Sequence, residues 1–185
     1  MPYKEIKLRD IIFDPEVQSY CVNSNFRCPN YNHSWACPPE APYLEREVAK
    51  FSRFFLIYYK YDLTRHIEIE KLIYPDKRDE RIKNELLITN FLRDKLEKEI
   101  FEIIDKLQIN YEQKLILWDG YCRVCNNLGK ICTYDDDKPC RYPEEIRYSM
   151  EAVGIDVTKT VRKVNINIEW PPINKVYRFG LVCIK

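Results

Sequence analysis

The chain has 185 residues, 45% hydrophobic and 32% charged, which is enough apolar material for a core and rules out a disordered tail. Its 30 basic and 29 acidic side chains leave a formal net charge of +1, which removes the electrostatic case for a general nucleic-acid or membrane-surface binder. Its 4 glycines, Gly120, Gly129, Gly154 and Gly180, are too far apart for a phosphate-cradling loop or a dinucleotide-binding turn.

The segment Met1 to Lys7 mixes charges with single apolar residues and has no apolar signal core. No apolar run approaches the roughly 18 residues of a membrane span. The expectation is a cytoplasmic protein of one domain, residues 1–185. Cysteines in that compartment are held reduced, so they read as metal or redox ligands, with disulfides as a minor alternative.

Tyr3 to Phe13 predicts an opening strand. Residues 14–42 form a loop rich in Cys, Asn and Pro, a composition that favours turns. Tyr43 to Phe51 predicts a short helix after Pro42, and Arg53 to Leu63, rich in Phe, Ile and Tyr, a buried strand. Asp76 to Leu107 predicts one long helix, with an apolar stripe through Leu87, Ile88, Phe91, Leu92, Leu96, Ile100, Ile103, Ile104 and Leu107. The polar pair Thr89-Asn90 points outward or marks a kink. Lys114 to Trp118 predicts a second strand, running through Asp119-Gly120 into a second loop at about 120–142. Pro143 to Val153 predicts a helix stopped by Gly154, and Asp156 caps another through Val164. Lys175 to Ile184 predicts a closing strand. The fold class is α/β (or α+β): a two- or three-layer domain with a sheet of about four strands, one long helix and two cysteine-rich metal-binding loops.

The second loop holds four thiols within nineteen residues: Cys122 and Cys125 in a CxxC pair, then Cys132 and Cys140. Two intervening residues let both sulfurs of a CxxC pair reach one metal or cluster, and four thiolates complete a tetrahedral zinc site or one [4Fe–4S] cluster. The first loop holds Cys21, Cys28 and Cys37, with proline directly after the last two. A three-cysteine group needs a fourth ligand or keeps an open position; His33, Cys183 and a non-protein ligand are the candidates. Cys183 lies in an apolar strand and reads more simply as core, and His33 as an exposed loop residue. His66 reads as solvated. Arg27, Arg123 and Arg141 each adjoin a cysteine, where positive charge would offset thiolates. Asp135-Asp136-Asp137 reads as a solvated turn, and Trp170-Pro171-Pro172 as a rigid connection, with a lid or partner-contact loop as its alternative. Ser149 and Glu151 could contact a ligand, although no motif requires it. No GxSxG elbow or HExxH helix is present.

Two stretches resemble a known family: Cys28-Pro29-Asn30-Tyr31 through Trp35-Ala36-Cys37-Pro38-Pro39, and Gly120-Tyr121-Cys122-Arg123-Val124-Cys125 through Cys140-Arg141-Tyr142-Pro143-Glu144 and Ser149 to Val157. The chain resembles the predicted metal-binding proteins called domain of unknown function 2284. The resemblance implies a cysteine-held metal centre of the iron–sulfur kind and no particular reaction. Asn32 stands where the family has glycine, and Asn tolerates the left-handed backbone such a turn needs.

Three functions compete. The first is an iron–sulfur protein with up to two [4Fe–4S] clusters, on Cys122, Cys125, Cys132 and Cys140 and on Cys21, Cys28 and Cys37, moving electrons to a redox protein partner or acting as a subunit. The second is an enzyme whose three-cysteine cluster keeps an iron open for sulfur transfer or reductive chemistry. The third is a zinc-stabilised binding module. No membrane or nucleic-acid partner is expected, and a homo-oligomer is left open.

Overall fold

The structure, a computed structural model, describes residues 3–23, 26–107 and 111–185. The strands in chain order are β1 (Tyr3–Ile6), β2 (Val22–Asn23), β3 (Phe26–Arg27), β4 (Arg53–Asp62), β5 (Lys114–Leu117) and β6 (Lys175–Ile184). The helices are α1 (Glu45–Val48), α2 (Leu63–Ile73), α3 (Asp79–Ile88), α4 (Phe91–Leu107), α5 (Val124–Asn127) and α6 (Val157–Lys163).

Four strands form one sheet in the order β1-β4-β6-β5, with every neighbouring pair antiparallel. The two long strands make its spine, in register from Arg53 opposite Ile184 to Asp62 opposite Lys175. Strand side chains alternate between faces. Phe54, Leu56, Leu181 and Cys183 point to one face, where they meet Val48, Met150, Val153, Ile155 and Val161. Phe55, Ile57, Val182 and Ile184 point to the other and meet Leu96, Ile100 and Ile103 of α4. Because both faces are covered, β4 and β6 read as nearly continuous apolar runs. Burying each such Leu, Ile or Phe contributes about 1.5–3 kcal/mol, which holds the three layers together.

The predicted long helix is two helices. Thr89 leaves helical space at ψ 158°, and its hydroxyl donates to Leu86 O at 2.9 Å, ending α3. The stripe of α3 is Ile82 and Leu86; that of α4 is Leu92, Leu96, Ile100 and Ile103. The six-residue step from Leu86 to Leu92 breaks the three-and-four rhythm, so one straight helix could not bury both stripes. Ile88, counted in the predicted stripe, is 79% exposed. Helix α2, absent from the sequence reading, starts where Asp62 Oδ1 accepts from the Arg65 N–H at 2.8 Å.

Two further expectations are corrected. The opening strand stops at Ile6, and Leu8–Asp10 is a 3-10 turn. Pro143 to Val153 is not a helix but two 3-10 turns, Pro143–Glu145 and Glu151–Val153, joined by extended chain. The reason is competition for the backbone. Trp118 N–H donates to Tyr148 O at 2.7 Å, and Met150 N–H donates to Trp118 O at 3.3 Å. Those groups pair with the end of β5 and so cannot make helical bonds. Gly154 does end the segment, at φ +91°, where a side chain would also run into the Tyr43 ring. Asp156 caps α6 as expected, accepting from Lys159 N–H at 2.8 Å. Among the described residues no helix is long and apolar enough to cross a membrane.

Candidate metal centre

The first cysteine loop is built from turns. Asp14 caps a 3-10 turn, Pro15–Cys21, by accepting from Glu16 N–H at 3.0 Å. The β2–β3 ladder then doubles the chain back, and Cys28 N–H donates to Cys21 O at 2.8 Å. Asn32 adopts φ +59° and donates its N–H to Pro38 O at 2.9 Å, closing the turn that delivers Cys37. Burial is the main force on these thiols. It pushes Cys21 up to about 11, helped by Cys28 and the Glu151 carboxylate. It pushes Cys37 up to about 12; Ser34 opposes this with a hydrogen bond, and Cys28, Cys21 and Cys122 add to it.

The second loop leaves the end of β5. Gly120 turns it at φ +73°, a left-handed conformation that favours glycine, and a β-carbon there would lie 2.7 Å from Arg93 Nε, so the guanidinium would have to move aside. Arg123 follows Cys122 and is 5% exposed. Its guanidinium pairs with Glu97 and, at 2.7 Å, with Asp94, which anchors the loop to α4. Lys130 N–H and Leu128 N–H both donate to Cys125 O, at 2.9 and 3.1 Å, folding the chain around that cysteine. Burial raises the Cys140 thiol, the Tyr142 N–H lowers it, and Cys122, Cys125 and Cys132 raise it further. Arg141 places Nη1 at 4.0 Å from Cys125 Sγ while donating to Ile131 O at 2.6 Å.

The two loops are docked on each other. Trp35 Nε1 donates to Lys138 O at 3.2 Å, Tyr134 donates its hydroxyl proton to Asn32 Oδ1 at 2.8 Å, and His33 Nδ1 lies 2.8 Å from Asp135 Oδ1. Residues 149–156 moor both from beneath. Ser149 bridges to Trp118, while Gln18 Nε2 donates to Ala152 O at 2.8 Å and Asp14 N–H to Gly154 O at 2.8 Å.

Within each loop the thiols are near enough to raise one another's pKa, Cys28 acting on Cys21, Cys21 and Cys28 on Cys37, and Cys122, Cys125 and Cys132 on Cys140, and Cys122 adds a weaker push on Cys37. Among the described residues, no three His, Cys, Asp or Glu side chains stand closely enough to hold a metal ion as they are. Of the two named candidates for the fourth ligand, Cys183 lies apart from the first group. Cys183 is 0% exposed in the sheet core, and desolvation alone pushes it up to about 12. His33 is turned to Asp135. Asp135 is consequently part of the loop-loop contact and not only a solvated turn. His66 is not free in solvent either; its Nδ1 lies 3.2 Å from the Tyr61 hydroxyl. Arg123 is committed to carboxylates, Arg27 is exposed beside the Tyr31 ring at 6.0 Å, and only Arg141 of the three arginines approaches a thiol.

A cavity of about 890 Å³ went unseen in the sequence. Its lining includes Val17, Tyr20 and Glu151, Asp119 with Arg93 and Arg178, and Tyr177 and Trp170. Glu151 is exposed as a residue and lines this cavity. Crowding by protein desolvates its carboxyl and, with Asp119 nearby, pushes it up to about 7. The Trp170 connection is 78% exposed at the rim. The only signals in the sequence were Glu151 and the Trp-Pro-Pro run; the arginines come from α4 and β6, far apart in the chain.

Residues 4–184 match the model of the family described as predicted metal-binding protein (DUF2284), a family of unknown function, and the chain belongs to it. No curated protein and no solved structure matches the chain.

Proposed function

We propose that the chain is a cytoplasmic iron–sulfur protein with a redox role, in which Cys122, Cys125, Cys132 and Cys140 hold one [4Fe–4S] cluster and Cys21, Cys28 and Cys37 hold a second. What carries this reading is that the loop bearing three thiols and the loop bearing four are docked on each other, Trp35 Nε1 donating to Lys138 O and the Tyr134 hydroxyl to Asn32 Oδ1. The donor set fits the cofactor. Seven half-buried or buried thiols are soft ligands of the kind that selects iron–sulfur clusters or zinc. Burial and mutual repulsion hold Cys21 and Cys37 protonated at neutral pH, so a cation is needed to stabilise their thiolates. Such clusters supply one-electron redox chemistry. The chain's own part is to bury the thiols, to lock the loops together through Trp35 and Tyr134, and to set Arg141 beside Cys125, where its charge offsets the thiolate.

A second reading, an enzyme working through an open position of the three-cysteine group, is favoured by one observation: the cavity adjoins that group at Tyr20 and Glu151. Either reading fits a redox protein partner.

The test is anaerobic purification followed by iron, sulfide and zinc analysis per chain, with absorption spectra before and after dithionite. About eight irons and eight sulfides are expected for two cubane clusters. About one or two zincs with no iron would replace the redox reading with a zinc-stabilised binding module.

A further inference from the structure

The floor of the cavity carries an uneven charge set. Arg93 Nε and Arg178 Nη1 share a single carboxylate oxygen, Asp119 Oδ2, at 3.3 and 3.4 Å. Neither contact has hydrogen-bond geometry: Arg93 Nε, Arg178 Nε and Asp119 Oδ2 have no hydrogen-bond partner among the described residues. Two guanidinium groups thus share one carboxylate oxygen, and the second has no ion-pair partner of its own among the described residues. Other acids of the lining do not supply that partner. Asp156 is spent on the start of α6 and on Lys159, whose Nζ is 3.0 Å away. Glu169 folds back on its own loop, accepting from the N–H groups of Ile173 and Asn174 at 3.1 and 2.6 Å. Glu151, the remaining acid of the lining, makes no ion pair with either arginine among the described residues. Above this floor the walls are apolar and aromatic: Leu87, Ile88, Ile168, Trp170 and Tyr177.

We propose that this cavity binds an organic carboxylate, its acid group taken by Arg93 and Arg178 and its hydrocarbon or aromatic body lying against Leu87, Ile168, Trp170 and Tyr177. A volume of about 890 Å³ takes a molecule well beyond acetate in size. Guanidinium forks match a carboxylate in shape and charge, and a largely apolar wall gives the remaining affinity. The ligand would lie next to Cys21 and so within the neighbourhood of the proposed metal group. Binding itself does not depend on that group, and it is tested separately from metal content.

The test uses three probes of one skeleton: 4-phenylbutyrate, 4-phenylbutan-1-ol and 4-phenylbutylamine, titrated into the full chain by calorimetry and by saturation-transfer NMR. The acid is expected to bind at least tenfold more tightly than the alcohol, and the amine more weakly than either. Arg178→Gln is expected to weaken the acid at least tenfold without changing the alcohol, Arg178→Lys to fall between, and Asp119→Asn to tighten the acid. Circular dichroism checks that each variant folds, and Arg93→Gln provides a second, independent removal of charge. Equal binding of all three probes, no binding of the acid, or acid binding unaffected in every folded arginine variant would overturn the proposal. The metal assay is read on the same preparations, so a chain with zinc or no metal that still selects the acid would refute the iron–sulfur reading and leave this site standing.

Discussion

The Trp35 indole stands edge-on to the Tyr134 ring, with centroids 4.9 Å apart and planes at 72°, and through this pair one cysteine loop is clamped onto the other. Around it, the His33–Asp135 contact is solvent-exposed, with both side chains more than half accessible. The two contacts should therefore have very different weights. Trp35→Ala removes the edge-on ring and the bond to Lys138 O, and is expected to cost about 3 kcal/mol and to lower metal retention. His33→Ala is expected to cost under about 1 kcal/mol and to leave metal content unchanged, as for exposed ion pairs. Denaturant titration and metal analysis of the two variants check this; a large metal loss in His33→Ala would make His33 a ligand.

Cys183 separates structural from ligating thiols. It sits opposite Phe54 and Leu115 in the sheet core. Cys183→Ala is expected to keep the wild-type metal stoichiometry and to lose about 1–2 kcal/mol of stability through lost packing. Cys37→Ser and Cys122→Ser, one from each cysteine group, are expected to lower metal content. Metal analysis of the three variants side by side decides it.

Gly120 joins the second loop to the cavity. Gly120→Ala is expected to strain a left-handed residue and push the Arg93 guanidinium away, at about 1–3 kcal/mol. The same shift should weaken phenylbutyrate binding. Unchanged melting and unchanged binding would mean that the loop can re-form without this approach.

Stability should depend on pH through Glu151. Its carboxyl is raised from 4.5 to about 7, mainly by desolvation. The folded state therefore favours the protonated form. Stability from this group is fully present below pH 4.5 and is lost as pH rises through about 7. Glu151→Gln, which cannot ionise, should lose less stability than the wild type between pH 5 and 8. The effect is modest, since the group contacts water in the cavity. Denaturation midpoints of both proteins across that range measure it; parallel curves would show that Glu151 ionises normally.

Arg123 is the loop's anchor to α4. Arg123→Met is expected to destabilise the chain by about 2–3 kcal/mol, below the range for a fully buried pair because Asp94 is exposed and Arg147 still holds Glu97 at 2.8 Å. Hydrogen exchange at Cys122 to Cys125 should rise with it, and unaltered exchange would assign the anchoring elsewhere.

Elements with local signals can be read along the chain. Arg53–Asp62 and Lys175–Ile184 are legible because both faces of the sheet are buried and the apolar runs are unbroken. Asp156 and Gly154 are legible because caps act through a hydrogen bond or a φ angle of one residue. The cysteine spacing, together with the family it resembles, identified the metal-binding class. The break at Thr89-Asn90 was written in the stripe spacing, yet a continuous charge pattern concealed it.

Tertiary structure alone decided the rest. The segment before Gly154 gave up helix because its peptide groups pair with Trp118, a strand end some thirty residues earlier. The two cysteine loops meet because Trp35 and Tyr134 pack, and no spacing rule links positions that far apart in the chain. Arg93, Asp119 and Arg178 form one cluster because α4, the end of β5 and β6 converge at one end of the sheet. Local signals fix elements through short-range bonds. Sites assembled across the chain depend on long-range packing, and one sequence read in order does not display it.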